Sequence, residues 1–216
     1  MIRIMTKPIY TMSQTGGCPR ALSAIRLGNE PTPMTKDDEE RLKHYSNLEA
    51  VAAQQIMELG YGIEPSSLCP RCNRYGIHVE IDTPLFLMVG HLDRRLVVPS
   101  SYMPDRRYPI EIKSLGKASW TKFSQSQFKS FDGYAAQESC YLEAEDSPGI
   151  YWVMERDSGK PLKYIVNDFQ NELSLDGFEK IELPVTFDQI LDKLNLIELD
   201  VMEGKLSSAS ENDDCY

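Results

Sequence analysis

Two short stretches carry the residues best suited to chemistry: Gly90-His91-Leu92-Asp93 and Ile110-Glu111-Ile112-Lys113. Side chains alternate along an extended strand, so Glu111 and Lys113 point to one side and Ile110 and Ile112 to the other. One face can be buried while the other reacts. If the two stretches are neighbours, Asp93, Glu111 and Lys113 converge. Two carboxylates on one sheet edge suit a hard divalent ion, because Mg²⁺ prefers oxygen ligands and keeps waters that a substrate phosphate can replace. A lysine beside such an ion can orient or help deprotonate an attacking water and offset charge in a phosphorane-like transition state. A Glu-x-Lys triplet also occurs on solvated strand faces, so the surrounding elements decide between the two readings.

The elements that must position these residues read as follows. Leu85-Phe86-Leu87-Met88-Val89 is a continuous apolar run, expected of a strand covered on both sides that delivers Asp93 at its end. Thr35 to Leu59 reads as a helix, opened by a capping box from Thr35 to Asp38 and stopped by Gly60. Its Leu42, Leu48, Val51, Ala52, Ile56 and Leu59 recur at spacings of three and four. Glu49 lies among these apolar positions, where a carboxylate needs a partner or a metal, and His44 precedes it as a further candidate ligand. Pro19 to Gly28 reads as a short helix with Arg20 in its first turn. Asp132 can cap a helix through Ala144, on which Gln137 and Tyr141 share a face. A hairpin over Ile150–Met154 and Leu162–Val166, and a helix capped by Thr186 and Gln189, complete the core.

At 216 residues the chain is expected to form one domain over 1–206, followed by an acidic, disordered tail over 207–216. A hydrophobic content of 41% and a charged content of 26% are those of a soluble globule, and no apolar run approaches the roughly 20 residues of a membrane span. The N-terminus has neither an apolar core nor a small-residue cleavage site, so the expectation is a cytoplasmic protein with no membrane partner. The net charge of −10 is unevenly spread. Residues 94–129 hold eight lysines and arginines against two carboxylates, a net of +6, which leaves −16 for the remainder. That strip interleaves Arg94, Lys117 and Lys122 with Trp120, Phe123 and Phe128. Such a mixture suits single-stranded nucleic acid, or else the aromatics are packing residues on a solvated surface.

Residues 61–84 read as a linker rich in Pro, Gly, Ser and Asn, and contain Cys69-Pro-Arg-Cys72 and His78. A Cys-x-x-Cys is half of a metal site; Cys18 and His78 can complete a zinc site, or the thiols stand unligated. Five cysteines, an odd number without dense spacing, are expected as reduced thiols or ligands rather than as a disulfide framework.

The order of these signals resembles the PD-(D/E)XK nuclease superfamily, and within it the RecB-like exonuclease branch that includes CRISPR-associated and phage exonucleases. The likeness rests on Glu49 in the first core helix, Gly90-His91-Leu92-Asp93, Glu111-Ile112-Lys113, and Gln137-Glu138-Ser139-Cys140-Tyr141 as a Gln-x-x-x-Tyr motif, together spanning about residues 13–145. It implies an α/β, restriction-endonuclease-like core with a mixed central sheet flanked by helices. It further implies Mg²⁺ or Mn²⁺ held by Asp93, Glu111, the backbone carbonyl of Ile112 and Glu49, with Lys113 as catalytic lysine. Gln137 and Tyr141 would contact DNA or the edge of the site, and Arg20, Arg94, Lys117 and Lys122 join them as DNA contacts.

Cys18-Pro19-Arg20 is similar to the N-terminal Cys-Pro-Arg of the iron–sulfur members. Those carry three further cysteines after the tyrosine helix, whereas only Cys215 follows here, so no iron–sulfur cluster is expected. The activity implied is metal-dependent hydrolysis of DNA from its ends, in recombination, repair or DNA degradation, and in a host cytoplasm if the chain is phage-encoded. A structure-specific endonuclease and a non-cleaving nucleic-acid-binding module of the same fold are the alternatives. Oligomeric state is not legible.

Overall fold

The computed structural model describes residues 7–30, 33–99, 104–171 and 173–209, with the side chains of 41–46 outside the described set. In chain order its elements are β1 (Ile9–Thr11), α1 (Pro19–Arg26), α2 (Lys36–Glu58), β2 (Gly62–Glu64), β3 (Ser67–Leu68), β4 (Tyr75–Asp82), β5 (Leu87–Leu92), β6 (Arg94–Val98), β7 (Arg106–Leu115), α3 (Lys117–Ser126), α4 (Asp132–Glu145), β8 (Gly149–Glu155), β9 (Pro161–Val166), β10 (Glu179–Ile181) and α5 (Phe187–Met202). The architecture is mixed α/β. Where one central sheet was expected there are two: β1-β5-β4-β3 and β10-β9-β8-β7-β6-β2, each with parallel and antiparallel pairs.

The division falls at Asp93. Residues 87–92 pair with β4 in the smaller sheet, and residues 94–98 pair with β7 in the larger one. One extended run therefore leaves the first sheet and enters the second, with Asp93 at the bend between them. β5 is also not covered on both faces. Met88, Gly90 and Leu92 are buried while Leu87, Val89 and His91 are half-buried, an alternation that leaves one face open. The strand buried at every position is β8, which lies between β7 and β9.

Packing follows the alternation. Ile110 and Ile112 of β7 join Trp152 and Met154 of β8 against Ala52 and Ile56 of α2. The opposite face of the larger sheet, with Tyr151, Val153 and Tyr164, is covered by Phe123, Phe128, Ala135 and Leu142 from α3, α4 and the turn between them. Phe123 and Phe128 are thus core residues, and Trp120 lies beneath the Lys160 ammonium, 5.3 Å from its ring centre. None of the three is free to stack on bases.

The smaller sheet packs through Met88 and Leu92 on Ala136, Cys140, Ile190 and Leu194. At its edge, the buried Glu198 of α5 accepts two hydrogen bonds from Arg26 of α1, at 2.8 and 3.1 Å, and a third from the Tyr10 hydroxyl. Three elements are thereby tied to one charged, satisfied group.

Both capping boxes are present. Thr35 Oγ1 accepts from the Asp38 N–H, and the Asp38 carboxylate accepts from the Thr35 N–H at 3.1 Å. Thr186 and Gln189 repeat the arrangement at α5.

Two boundaries differ from expectation. Residues 61–84 are not a linker, since they hold β2, β3 and β4. Their Pro65, Pro70, Asn73 and Pro84 fall between short strands, Asn73 with φ of +58°, while Gly62 and Gly76 lie within β2 and β4. The tail is also anchored at its start: Ser207 is buried, and its N–H donates to Ser23 Oγ at 3.0 Å. The rest of the expected tail, from residue 210, lies outside the described residues.

Candidate active site

Asp93 leaves the bend between the sheets and reaches β7, where its Oδ2 accepts the Ile112 N–H at 2.7 Å. That bond places Asp93 beside Glu111 and Lys113, which share the other face of β7 from Ile110 and Ile112. The Lys113 ammonium donates to Glu111 Oε1 and to Gln137 Oε1, the latter at 2.9 Å, and sits 5.1 Å from the Tyr134 ring centre. Glu49 approaches from α2. With Asp93, Arg94, Ser66, Tyr75 and Gly76 it lines a cleft of about 180 Å³.

Electrostatics link the same groups. Burial, then the charges of Glu111 and Glu49, hold the Asp93 carboxyl well above its ordinary value, against the opposing pull of Lys113 and the Ile112 N–H. Glu49 is raised by burial and by Glu111, with Arg94 and Lys113 opposing. For Lys113, burial works against the charged form, but Glu111 and Asp93 outweigh it and hold the ammonium above its ordinary value. Three carboxylates therefore share one lysine. Glu111 is only 4% exposed, and its Oε2 has no hydrogen-bond partner among the described residues. A buried carboxylate oxygen without a donor, among like charges, is a poor arrangement for an apo protein and a good one for a bound cation. The donor set is all oxygen, which fits Mg²⁺ or Mn²⁺ better than a soft metal.

Gln137 and Tyr141 serve this site from within. Gln137 Nε2 donates to the Tyr141 hydroxyl at 3.1 Å, and that hydroxyl donates to the His91 carbonyl at 3.0 Å. Lys113 on β7 is thus connected through α4 to β5. Tyr141 is 3% exposed, with its hydroxyl donating to one partner and accepting from another, so it acts as an internal brace. The brace also accounts for Gly90. A Cβ there would lie 2.5 Å from Tyr141 Cε1 and 2.6 Å from Met12 Sδ, closer than any side chain allows.

Sequence reasoning passed over Glu138. It is 1% exposed, neither carboxyl oxygen has a partner among the described residues, and burial, then the Glu111 charge, raises it well above its ordinary value. It lies buried beneath the site, its carboxyl pushed toward the protonated form. The signal was there: on α4, Tyr134, Glu138 and Tyr141 recur at spacings of four and three, on the buried side of the helix.

The expected DNA contacts are less uniform. Arg94 lines the cleft and donates to its neighbour's carbonyl, Asp93 O, at 2.6 Å, as well as to Ser66 Oγ. Lys117 and Lys122 are exposed on α3, and Lys122 lies over the Phe131 ring. Arg20 is exposed in the first turn of α1. Other cations of the strip are spoken for: Arg95 forms a two-pronged pair with Glu145 at 2.7 Å, and Arg107 reaches Glu64 at 3.3 Å. The His44 side chain lies outside the described residues.

The expected zinc set is corrected in one member. Cys18 is disulfide-bonded at the N-terminus of α1, whereas Cys69, Cys72 and His78 meet His91. The ligand atoms of these four all lie within 4.8 Å of one another.

No family model matches the chain, and no curated protein matches it in sequence. Among solved structures, it is similar to one described as "Crystal structure of SSO0001", at 12% identity and a TM-score of 0.45, over 99% of this chain and 84% of that one. Among the described residues, no helix is long and apolar enough to cross a membrane.

Proposed function

We propose that this chain is a Mg²⁺- or Mn²⁺-dependent deoxyribonuclease with a restriction-endonuclease-like core, hydrolysing phosphodiester bonds from DNA ends in the cytoplasm. One observation carries the reading: Glu49 and Asp93 line one cleft, the charges of Glu111 and Lys113 act on both of them, and a buried oxygen of Glu111 is left without a donor among the described residues. Asp93, Glu111 and Glu49 would hold the ion, together with the Ile112 carbonyl that the family resemblance adds. The bound ion supplies Lewis-acid polarisation of a phosphoryl oxygen and a water of lowered pKa.

The protein's own groups divide the remaining work. Lys113, aimed by Glu111 and Gln137, would orient the attacking water and donate a hydrogen bond to charge developing on the transferred phosphoryl oxygens. Gln137 fixes where that ammonium points, and Tyr141 fixes Gln137. Arg94, on the cleft wall, supplies positive charge where a phosphate enters. The preference for a free end rests on the likeness to Gln-x-x-x-Tyr exonucleases.

The test uses end-labelled linear and closed circular single-stranded DNA, incubated with the protein and Mg²⁺, Mn²⁺ or chelator. Mononucleotide release from linear DNA alone, abolished by chelator and by Asp93→Asn, is the expected result. Nicking of circles would replace end-directed cutting with endonuclease action. Retention of DNA without cleavage in any metal would overturn the nuclease assignment in favour of a binding module.

A further inference from the structure

We propose that Cys69, Cys72, His78 and His91 form a tetrahedral zinc site that fastens the β3–β4 turn to β5. The site stands apart from the carboxylate cleft and does not depend on how that cleft is read.

Topology brings the four together. His78 and His91 are direct cross-strand partners in the antiparallel β4–β5 pair, and their rings lie on the same side of the sheet, with centres 5.2 Å apart. Cys69 and Cys72 come from the turn joining β3 to β4. That turn closes on itself: the Cys69 N–H donates to Arg74 O at 2.8 Å, and the Asn73 N–H donates to Cys69 O at 2.9 Å. The N–H groups of Arg71 and Cys72 point at the Cys69 sulfur, which fixes where that ligand atom sits in the turn. Gly76, with φ of +129°, gives His91 its room, since a Cβ there would lie 2.7 Å from His91 Cβ.

The distances suit zinc. Ligand bonds of about 2.0–2.1 Å to nitrogen and 2.3 Å to sulfur put two tetrahedral nitrogens about 3.3 Å apart, and a nitrogen and a sulfur about 3.6 Å apart. His78 Nδ1 and His91 Nε2, at 3.4 Å, already match, and Cys72 Sγ, 3.0 Å from His91 Nε2 and at an exposed position, has to draw back by about half an ångström to reach the tetrahedral separation. Two sulfurs and two imidazoles are the donor set of structural zinc rather than of Mg²⁺ or Mn²⁺.

The outer groups agree. His78 turns its other nitrogen, Nε2, to Glu80 at 3.2 Å, and Glu80 is held in turn by Arg71 at 2.9 Å. A carboxylate on the far nitrogen of a ligating histidine fixes its tautomer and its aim. An ion can also get in, because Cys72 and His91 open onto a cavity of about 570 Å³ beside β1.

The decisive measurement is zinc content and affinity of the full chain, prepared under reducing, anaerobic conditions, together with its Co²⁺ spectrum. The expected content is about one zinc per chain, with tetrahedral d–d bands and thiolate-to-cobalt charge transfer on Co²⁺ substitution. Cys72→Ser, at an exposed position, should lose that charge-transfer intensity and most of the affinity, even if the buried Cys69→Ser fails to fold. Glu80→Gln should keep the spectrum and weaken affinity by about 10–100-fold. Asp93→Asn should keep its zinc, so failure of the nuclease reading and failure of this one are told apart. A chain that binds no zinc, that holds it equally well in Cys72→Ser and His91→Ala, that carries iron with sulfide, or whose Cys69 and Cys72 form a disulfide would overturn the proposal.

Discussion

Removing one oxygen from Tyr141 tests how the site is held. Tyr141→Phe keeps the ring that packs on Gly90 and Met12, so the change is confined to the hydroxyl between Gln137 and the His91 carbonyl. Two hydrogen bonds disappear, and a donor and an acceptor in a nearly dry place are left behind. A net hydrogen bond contributes about 1 kcal/mol, and a stranded buried polar group costs about 1–3 kcal/mol. Gln137 cannot simply turn away, since its Oε1 is engaged by Lys113. Allowing partial relaxation, the variant should lose about 2–4 kcal/mol, and at about 2–4 °C per kcal/mol for a chain of this size it should melt roughly 5–15 °C lower.

Activity should fall through kcat with KM for DNA little changed, because the loosened group is the lysine that meets the transition state rather than a DNA contact. Thermal melting and steady-state cleavage of a labelled strand read the two effects. A melting temperature unchanged within error would refute the internal brace. So would a rise in KM without loss of kcat, which would place the tyrosine on the DNA instead.

Lys113→Ala should leave Mn²⁺ affinity unchanged or tighter, because it removes a competing cation, while turnover drops about 10²–10³-fold; calorimetry beside a rate assay checks this, and a near-normal rate would return the lysine to a structural role. Glu138→Gln addresses pH. A carboxyl whose folded pKa is raised loses its proton in the unfolded chain first, near pH 4.3, so the wild type should lose stability as pH climbs from there toward the folded value. The amide should melt like the wild type near pH 4 and higher at pH 8. Some slope should persist, since Asp93 and Glu49 are shifted the same way. Parallel melting curves at every pH would show that Glu138 is not held neutral.

Local chemistry was legible from the sequence. Periods of three and four with capping boxes located α2 to within a residue at each end and the start of α5, and strand alternation put Glu111 and Lys113 on one face. What failed was anything that depends on strand register. His91 belongs with His78 because β4 and β5 pair at that point, and no spacing along the chain announces it. Cys18 looked like a fourth ligand by residue type alone. The strands in 61–84 were hidden by turn residues packed between segments as short as two and three residues, too brief for alternation to register. The apolar run before Asp93 looked like a doubly covered strand, but Leu87 and Val89 border an open cavity instead.

The passage of one extended run between two sheets gives Asp93 a particular kind of leverage. Glu111 is rooted in β7 and Glu49 in α2, both on the larger sheet, whereas Asp93 sits at the joint and answers to both sheets. A small rocking of one sheet against the other would therefore open or close the three-carboxylate grip, and α4, which packs on the smaller sheet through Ala136 and Cys140 and on the larger through Ala135 and Leu142, would resist it. Catalytic geometry is unforgiving on that scale, since a displacement of about 1 Å costs about 100-fold in rate. The Ile112 N–H on Asp93 and the Tyr141 hydroxyl on His91 stand on either side of the joint, two latches that set its angle. Substitutions in the smaller sheet, far from any reacting atom, would then be felt as rate before they are felt as stability.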